Sequence, residues 1–334
     1  MDTRLKGKHF ISLKDYSKEE LDRILDLAFD LKRKLYAGEP HLLLAGKCLG
    51  MLFCSPSLRT RVAFERGITQ LGGTAQYYAP DQLHIVKGGR ISESWEDTAR
   101  VLSRYIDGLM VRLYTISGYR PLEYGEAHDI MKTLAASAGI PVINGIDDME
   151  HPTQVMADIM TLREKFGHEY KKKKVTIFWV YNPRGIPPGI PHSLLAAGGK
   201  LGMRLTFAHP EGYDLDPNYL NESRRIAKQA GGSIEILNNI DEAVKDADVI
   251  YAKGWKAIGK TPDEDLEMRA SLKHWRVEKK HFDKAATDAI FMHAMPIERE
   301  VEVTNEVIDS PRSVIYDQAE NRLHVVKAIM ALTM

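Results

Sequence analysis

Cysteine is scarce in this chain, with two residues, Cys48 and Cys54, among 334. They sit close together in one strand-loop stretch, which is no disulfide framework and fits a reducing compartment. Net charge is missing as well. Forty-six Lys and Arg balance forty-six Asp and Glu, so bulk attraction to nucleic acid or to a membrane surface has no support. No run reaches the ~18 apolar residues of a membrane span. The opening "MDTRLKGKHF" lacks the apolar core of a signal peptide. GxGxxG, Walker A and HExxH patterns are absent, and the cysteines lack zinc spacing with histidine. Repeats of 20–50 residue period and low-complexity linkers are missing too. The expectation is a cytoplasmic globular protein with no metal and no organic cofactor.

What is present is ordinary core material, 44% hydrophobic and 28% charged residues, in a chain long enough for two domains. "SKEELDRILDLAFDLKRKLYAG" (17–38) starts with a Ser17/Glu20 capping pair and runs at helical spacing. "KCLGMLFCS" (47–55) reads as a buried strand and "LRTRVAFERGITQLGG" as a helix. "GTAQYYA" is a strand, 94–105 a helix, 106–114 a strand, 124–139 a helix, "IPVINGI" a strand and 151–167 a long helix. Strand–helix alternation restarts near residue 170, after a lysine run at 171–174 that reads as a solvated lead-in. It continues to "DAIFMHAMP" (288–296) and a closing helix, "AENRLHVVKAIMALTM". Such units predict an α/β chain of two doubly wound parallel-sheet domains joined by helices.

Ligands of open α/β sheets bind beyond the carboxyl ends of the strands. Those ends carry the 55–61 loop, Arg112, His151 with Gln154, Asn182–His192, Lys253–Trp255 and His293–Glu302. Most of these groups are polar or cationic. "FCSPSLRTRVAFERG" (53–67) also poses a conflict, because Arg59, Arg61 and Arg66 crowd a helix start that already carries partial positive charge. A small dianion such as phosphate would resolve it. Arg61 and Arg66 also fit surface ion pairs.

The segment resembles the Ser-x-Arg-Thr-Arg signature of the aspartate/ornithine carbamoyltransferase family. "ESWEDTARVLSRYIDGLMVR" (93–112), "HPTQVMAD" (151–158), "MHAMP" and "AENRLHVVKAIMAL" resemble four more of its motifs in the same order. The resemblance implies a carbamoyl phosphate domain over 1–150, with the helix 318–334 packed back on it, and an amino-acid domain over 151–317. It implies that Ser57, Leu58, Arg59, Thr60, Arg112, His151, Gln154, Ala294 and Arg322 bind carbamoyl phosphate. Arg112, His151 and Thr60 would serve the reaction. The charges of Arg59, Arg112 and Arg322 suit a dianion, and His151 and Thr60 suit a developing oxyanion. A homotrimer is implied, in which the loop "HIVKGGR" (84–90), with His84 and Lys87, reaches a neighbouring subunit's site. A solvated loop is the alternative.

The acceptor pattern is mixed. His293-Ala294-Met295-Pro296 lacks the cysteine of the ornithine branch, and "YAKGW" (251–255) stands where that branch has Ser-Met-Gly. "YAKGW" and the proline-rich "VYNPRGIPPGIPHS" (180–193) most resemble the branch acting on N-acetyl- or N-succinylornithine. That likeness implies a trefoil knot in the second domain. It also implies an amino-acid site at Lys253, Trp255, Glu302 and Asp147. Lys253 would take a carboxylate and Trp255 would form an apolar wall, with Gly254 leaving room for backbone to approach a ligand. Asp147 would take an amine, and Glu302 replaces a lysine that can be carboxylated. Ornithine, aspartate or another amine, or a non-catalytic carbamoyl phosphate sensor, are the alternatives.

Overall fold

The computed structural model describes residues 5–80, 86–87 and 90–334. They divide into two compact units, one running to Met160 and regaining Asn321–Met334, the other Thr161–Glu320.

The first unit begins with α1 (Lys18–Tyr36). Ser17 accepts from the Glu20 N–H and Glu20 returns a bond to the Ser17 N–H, at 3.2 and 2.8 Å. A cap of this kind stabilises a helix by about 1 kcal/mol. Leu21, Ile24, Leu25, Ala28 and Leu31 form its buried stripe. Next come β1 (Cys48–Phe53), α2 (Leu58–Gln70), β2 (Thr74–Tyr78), the short antiparallel pair β3 (Val86–Lys87) and β4 (Arg90–Ile91), and α3 (Trp95–Leu102). Then follow β5 (Gly108–Arg112), α4 (Glu126–Ser137), β6 (Val142–Ile146) and α5 (Pro152–Phe166). The sheet order is β2-β1-β5-β6, all parallel. β1 is buried along nearly its whole length, as a strand covered on both faces must be.

The second unit holds β7 (Lys174–Phe178), α6 (Gly189–Leu201), β8 (Arg204–Ala208), α7 (Pro217–Gln229), β9 (Ser233–Leu237) and α8 (Ile240–Val244). After them come β10 (Val249–Ala252), α9 (Pro262–Ala270), α10 (Lys279–Phe282), β11 (Ile290–Met292) and α11 (Asn305–Ile308). Its sheet runs β11-β10-β7-β8-β9, again all parallel. The chain closes with α12 (Ile315–Thr333). From Asn321 onward α12 belongs to the first unit, where it lies close against α2. A side chain at Gly67 would meet Met330, Lys327 and Val326 at 3.1–3.4 Å. The two architectures are doubly wound α/β domains.

Some boundaries differ from expectation. α3 stops at Leu102 rather than Tyr105, because the Arg104 and Tyr105 N–H groups bond three residues back, to the Val101 and Leu102 carbonyls. α12 starts four residues before Ala319, at Ile315. No element was expected across 256–287, yet Thr261 and Glu264 form a reciprocal cap on α9 that the sequence displays openly. Among the described residues no helix is long and apolar enough to cross a membrane.

Candidate active site

In the first unit β2 lies on one side of β1 and β5 on the other. The strand order therefore reverses between β1 and β5, and the crevice at their carboxyl ends is the expected ligand position. Phe53 pairs with Arg112 there. Beyond Phe53 the chain turns through Ser55 and Pro56 into α2, whose cap is Ser57, accepting the Thr60 N–H at 3.3 Å. Arg59 lies in the first turn, half-buried, and Thr60 is buried. From α12 the buried Arg322 donates through Nη2 to Thr60 Oγ1 at 2.9 Å.

Arg112 is half-buried and donates from Nη2 to the Tyr114 hydroxyl at 3.2 Å. Its Nε is buried with no hydrogen-bond partner among the described residues. Burial pulls its pKa below the usual guanidinium range, and the charge of Arg59 adds to that, against the Tyr114 hydroxyl. An anion would relieve the repulsion between two guanidinium groups held at the mouth of a parallel sheet. β6, next to β5, leads into the loop that delivers His151 and Gln154 at the start of α5. Both are buried, and His151 Nδ1 lies 3.4 Å from the Thr153 hydroxyl.

The second unit repeats the logic. Its strand order reverses between β7 and β10, where Phe178 pairs with Ala252. The next residue is Lys253, 6% exposed. Its ammonium donates to the Gly254 carbonyl at 2.7 Å. Burial pulls its pKa down to about 8, with Glu302 opposing and Arg184 assisting. Glu302 is 1% exposed. It accepts from Asn182 Nδ2 at 2.8 Å and from the Glu298 N–H at 2.6 Å, and it faces His293 Nε2 at 3.6 Å. Burial works against its charge, but His293, Asn182 and the Glu298 N–H outweigh it and hold the carboxyl at about 2. His293 Nδ1 accepts the Met295 N–H at 2.9 Å, so the ring proton sits on Nε2, toward Glu302.

Residues 8–164 match "Aspartate/ornithine carbamoyltransferase, carbamoyl-P binding domain", and 174–333 match "Aspartate/ornithine carbamoyltransferase, Asp/Orn binding domain". The chain belongs to the aspartate/ornithine carbamoyltransferase family. It is 42% identical to an ornithine carbamoyltransferase of Thermococcus kodakarensis over 334 residues, covering all of this chain and 98% of that one. The solved ornithine carbamoyltransferase of Pyrococcus furiosus superposes with a TM-score of 0.85 at 42% identity, covering 99% of this chain and 98% of that one. An acetylornithine transcarbamylase solved with acetylcitrulline gives a TM-score of 0.88 at 33% identity, covering 97% and 98%. The chain is thus a carbamoyltransferase, and its first unit carries the family's carbamoyl phosphate-binding domain.

Several of the expected residues come together in the structure, and others turn into the interior or lie on the surface. Ser57, Leu58, Arg59 and Thr60 are contiguous on the α2 start, with Leu58 itself 74% exposed. Thr60 meets Arg322, and Arg112 lies across the strand-order reversal. Ala294, half-buried, follows β11 in a turn held by His293, whose N–H donates to Gln318. Asp147 corrects the expectation of an amine ligand. One carboxylate oxygen accepts the Met149 and Glu150 N–H groups, the other His128 Nδ1 and Asn144 Nδ2. Four donors fill its acceptor sites, so it holds the loop leading to His151.

A side chain at Gly254 would meet the Val180 carbonyl at 2.7 Å, so glycine there lets two backbone segments come close. Trp255 is 1% exposed, donates to the Tyr213 carbonyl and accepts from Trp179 Nε1 through its own carbonyl. Its indole packs in the interior of the second unit. Arg61 pairs with Glu65 and stacks over Tyr77, and Arg66 is exposed, as surface residues. His84 lies outside the described residues, and so does the side chain of Lys87. Asn182 and His293 stand at strand ends but join Glu302 from distant segments, a pairing that spacing does not show. Tyr114 lies two residues beyond Arg112 and so on the same side of an extended chain, a signal that could have marked it.

Proposed function

We propose that this carbamoyltransferase passes the carbamoyl group of carbamoyl phosphate to the side-chain amine of an ornithine-like amino acid carrying an N-acyl group. The amine nitrogen bonds to the carbonyl carbon, the bond from that carbon to the phosphate oxygen breaks, and phosphate leaves. Arg59, Arg112 and Arg322 balance the phosphate charge. The Thr60 hydroxyl and His151 hydrogen-bond the carbonyl oxygen as it gains charge. Thr60 accepts from Arg322, which leaves its own O–H to donate. An alkyl amine near pKa 10.4 must lose a proton, and at pH 7 this costs roughly 4–5 kcal/mol. A desolvated site or the departing phosphate can take up that load.

The observation that carries the acceptor assignment is Lys253, a buried ammonium at the strand-order reversal of the second unit, set in "YAKGW" near Glu302. An amino-acid carboxylate suits it. A second reading, free ornithine, draws support from full-length relatives named ornithine carbamoyltransferase at 42% identity. The test supplies carbamoyl phosphate with ornithine, N-acetylornithine, N-succinylornithine, aspartate and a diamine separately, and measures phosphate and ureido product. Fastest turnover with an N-acylated ornithine supports the first reading, and with ornithine the second. The same family reading carries a homotrimer. Leu58 and Val62, one turn apart on α2, are 74% and 53% exposed, and a monomeric mass by light scattering at micromolar concentration would sink that assembly.

A further inference from the structure

Gln154 is 1% exposed in the first turn of α5, and a residue one turn further on orients its amide. Nε2 donates to Oδ1 of the fully buried Asp158 at 2.8 Å. A carboxylate accepts and does not donate, so it takes the NH2 side of the amide. That fixes the other side. Gln154 Oε1 is buried and has no hydrogen-bond partner among the described residues. A buried carbonyl oxygen in that position is satisfied when a ligand brings a donor.

We infer that Asp158 is a positioning residue that sets specificity, holding Gln154 Oε1 as the acceptor for the NH2 of carbamoyl phosphate. It thereby selects against acyl phosphates that carry a methyl group in that place. The inference rests on the reading of the first unit as the carbamoyl phosphate site. Carbamoyl phosphate and acetyl phosphate share the phosphate, the bridging oxygen and the carbonyl, and differ only in NH2 against CH3. The arginines contact what the two have in common and cannot tell them apart. An oriented acceptor can, because the methyl ligand leaves it desolvated and unpaired. Sites with a committed polar group reject an analogue lacking its partner far better than apolar pockets reject a methyl group. The spacing of Gln154 and Asp158, four residues on one helix, puts both on one face.

Asp158→Asn tests the point. Asparagine offers both a donor and an acceptor, so the lock is lost and the Gln154 amide can turn its NH2 outward. The measurements are KM for carbamoyl phosphate and the inhibition constant of acetyl phosphate as its competitor, in wild type and variant. Losing one buried polar pairing predicts a ratio narrowed roughly ten- to a hundredfold, mainly through weaker carbamoyl phosphate binding. Gln154→Leu should narrow it similarly, and adding Asp158→Asn to Gln154→Leu should change it no further, because the carboxylate acts through the amide. A purely structural Asp158 would weaken both ligands alike. An unchanged ratio with normal carbamoyl phosphate binding overturns the orienting role alone. Wild-type protein that neither binds nor turns over carbamoyl phosphate overturns the site reading, and this inference with it.

Discussion

Arg322 Nη2 donates to Thr60 Oγ1 at 2.9 Å, joining the last helix of the chain to the start of α2, 262 residues earlier. Both side chains are buried. The contact fixes the Thr60 hydroxyl as an acceptor toward Arg322 and therefore as a donor elsewhere. Thr60→Val keeps the shape and removes the oxygen. It leaves a buried guanidinium N–H without its partner and takes away one donor to the carbonyl oxygen. A fall in kcat/KM for carbamoyl phosphate of roughly ten- to a hundredfold is expected, with Thr60→Ser close to wild type. Equal rates for valine and serine variants would show that the hydroxyl plays no part.

Arg59→Ala addresses the anion cradle directly. Arg59 is half-buried in the first turn of α2 and repels Arg112. Its removal should leave the fold intact and relieve that repulsion. Truncating one partner of a charge-assisted contact typically costs about 2–5 kcal/mol in binding, and the loss should appear in kcat/KM for carbamoyl phosphate. Steady-state kinetics alongside a thermal melt check this. Near-normal turnover would remove Arg59 from the site.

Asp147→Ala separates a structural carboxylate from a substrate ligand. The native side chain accepts four hydrogen bonds, from His128, Asn144, Met149 and Glu150. Removing a buried charged partner on this scale should cost about 3–5 kcal/mol of stability, read as a lower urea midpoint or loss of soluble protein. A stable variant with only a raised KM for the amine substrate would restore the amine-binding role.

These residues show what a sequence makes legible. Ser17 and Glu20 announced α1 because capping is local chemistry. The placement of Arg59 and Arg112 beside one strand-order reversal was legible because a helix start and a strand end are both set by local pattern. Side-chain direction was not legible. Asp147 and Trp255 stand at strand ends, yet each turns inward, to four donors and to the Tyr213 carbonyl respectively. Position along a strand says where a residue is, while its partners come from segments distant in sequence. The Asn182–Glu302 bond spans 120 residues and could not be read from spacing.

Lys253→Met tests the acceptor site through pH as well as through kinetics. The folded pKa of Lys253 lies near 8, against ~10.4 for an unfolded lysine. Between those values the unfolded chain holds a proton that the folded chain has released, so stability rises with pH across that window. Below about pH 8 the buried charge is carried at its full penalty, on the order of 3 kcal/mol. Methionine removes the charge and keeps the bulk. The variant should therefore melt higher than wild type at pH 7, and the difference should shrink as pH climbs toward 10.4. A carboxylate ligand would lose its cation in the same variant, so KM for the amino-acid substrate should rise much more than KM for carbamoyl phosphate. A gain in stability at pH 7 with unchanged KM values would mean that Lys253 is buried for a reason other than substrate. A diamine with no carboxylate as the best substrate would remove the role given to Lys253, and the N-acylornithine reading with it.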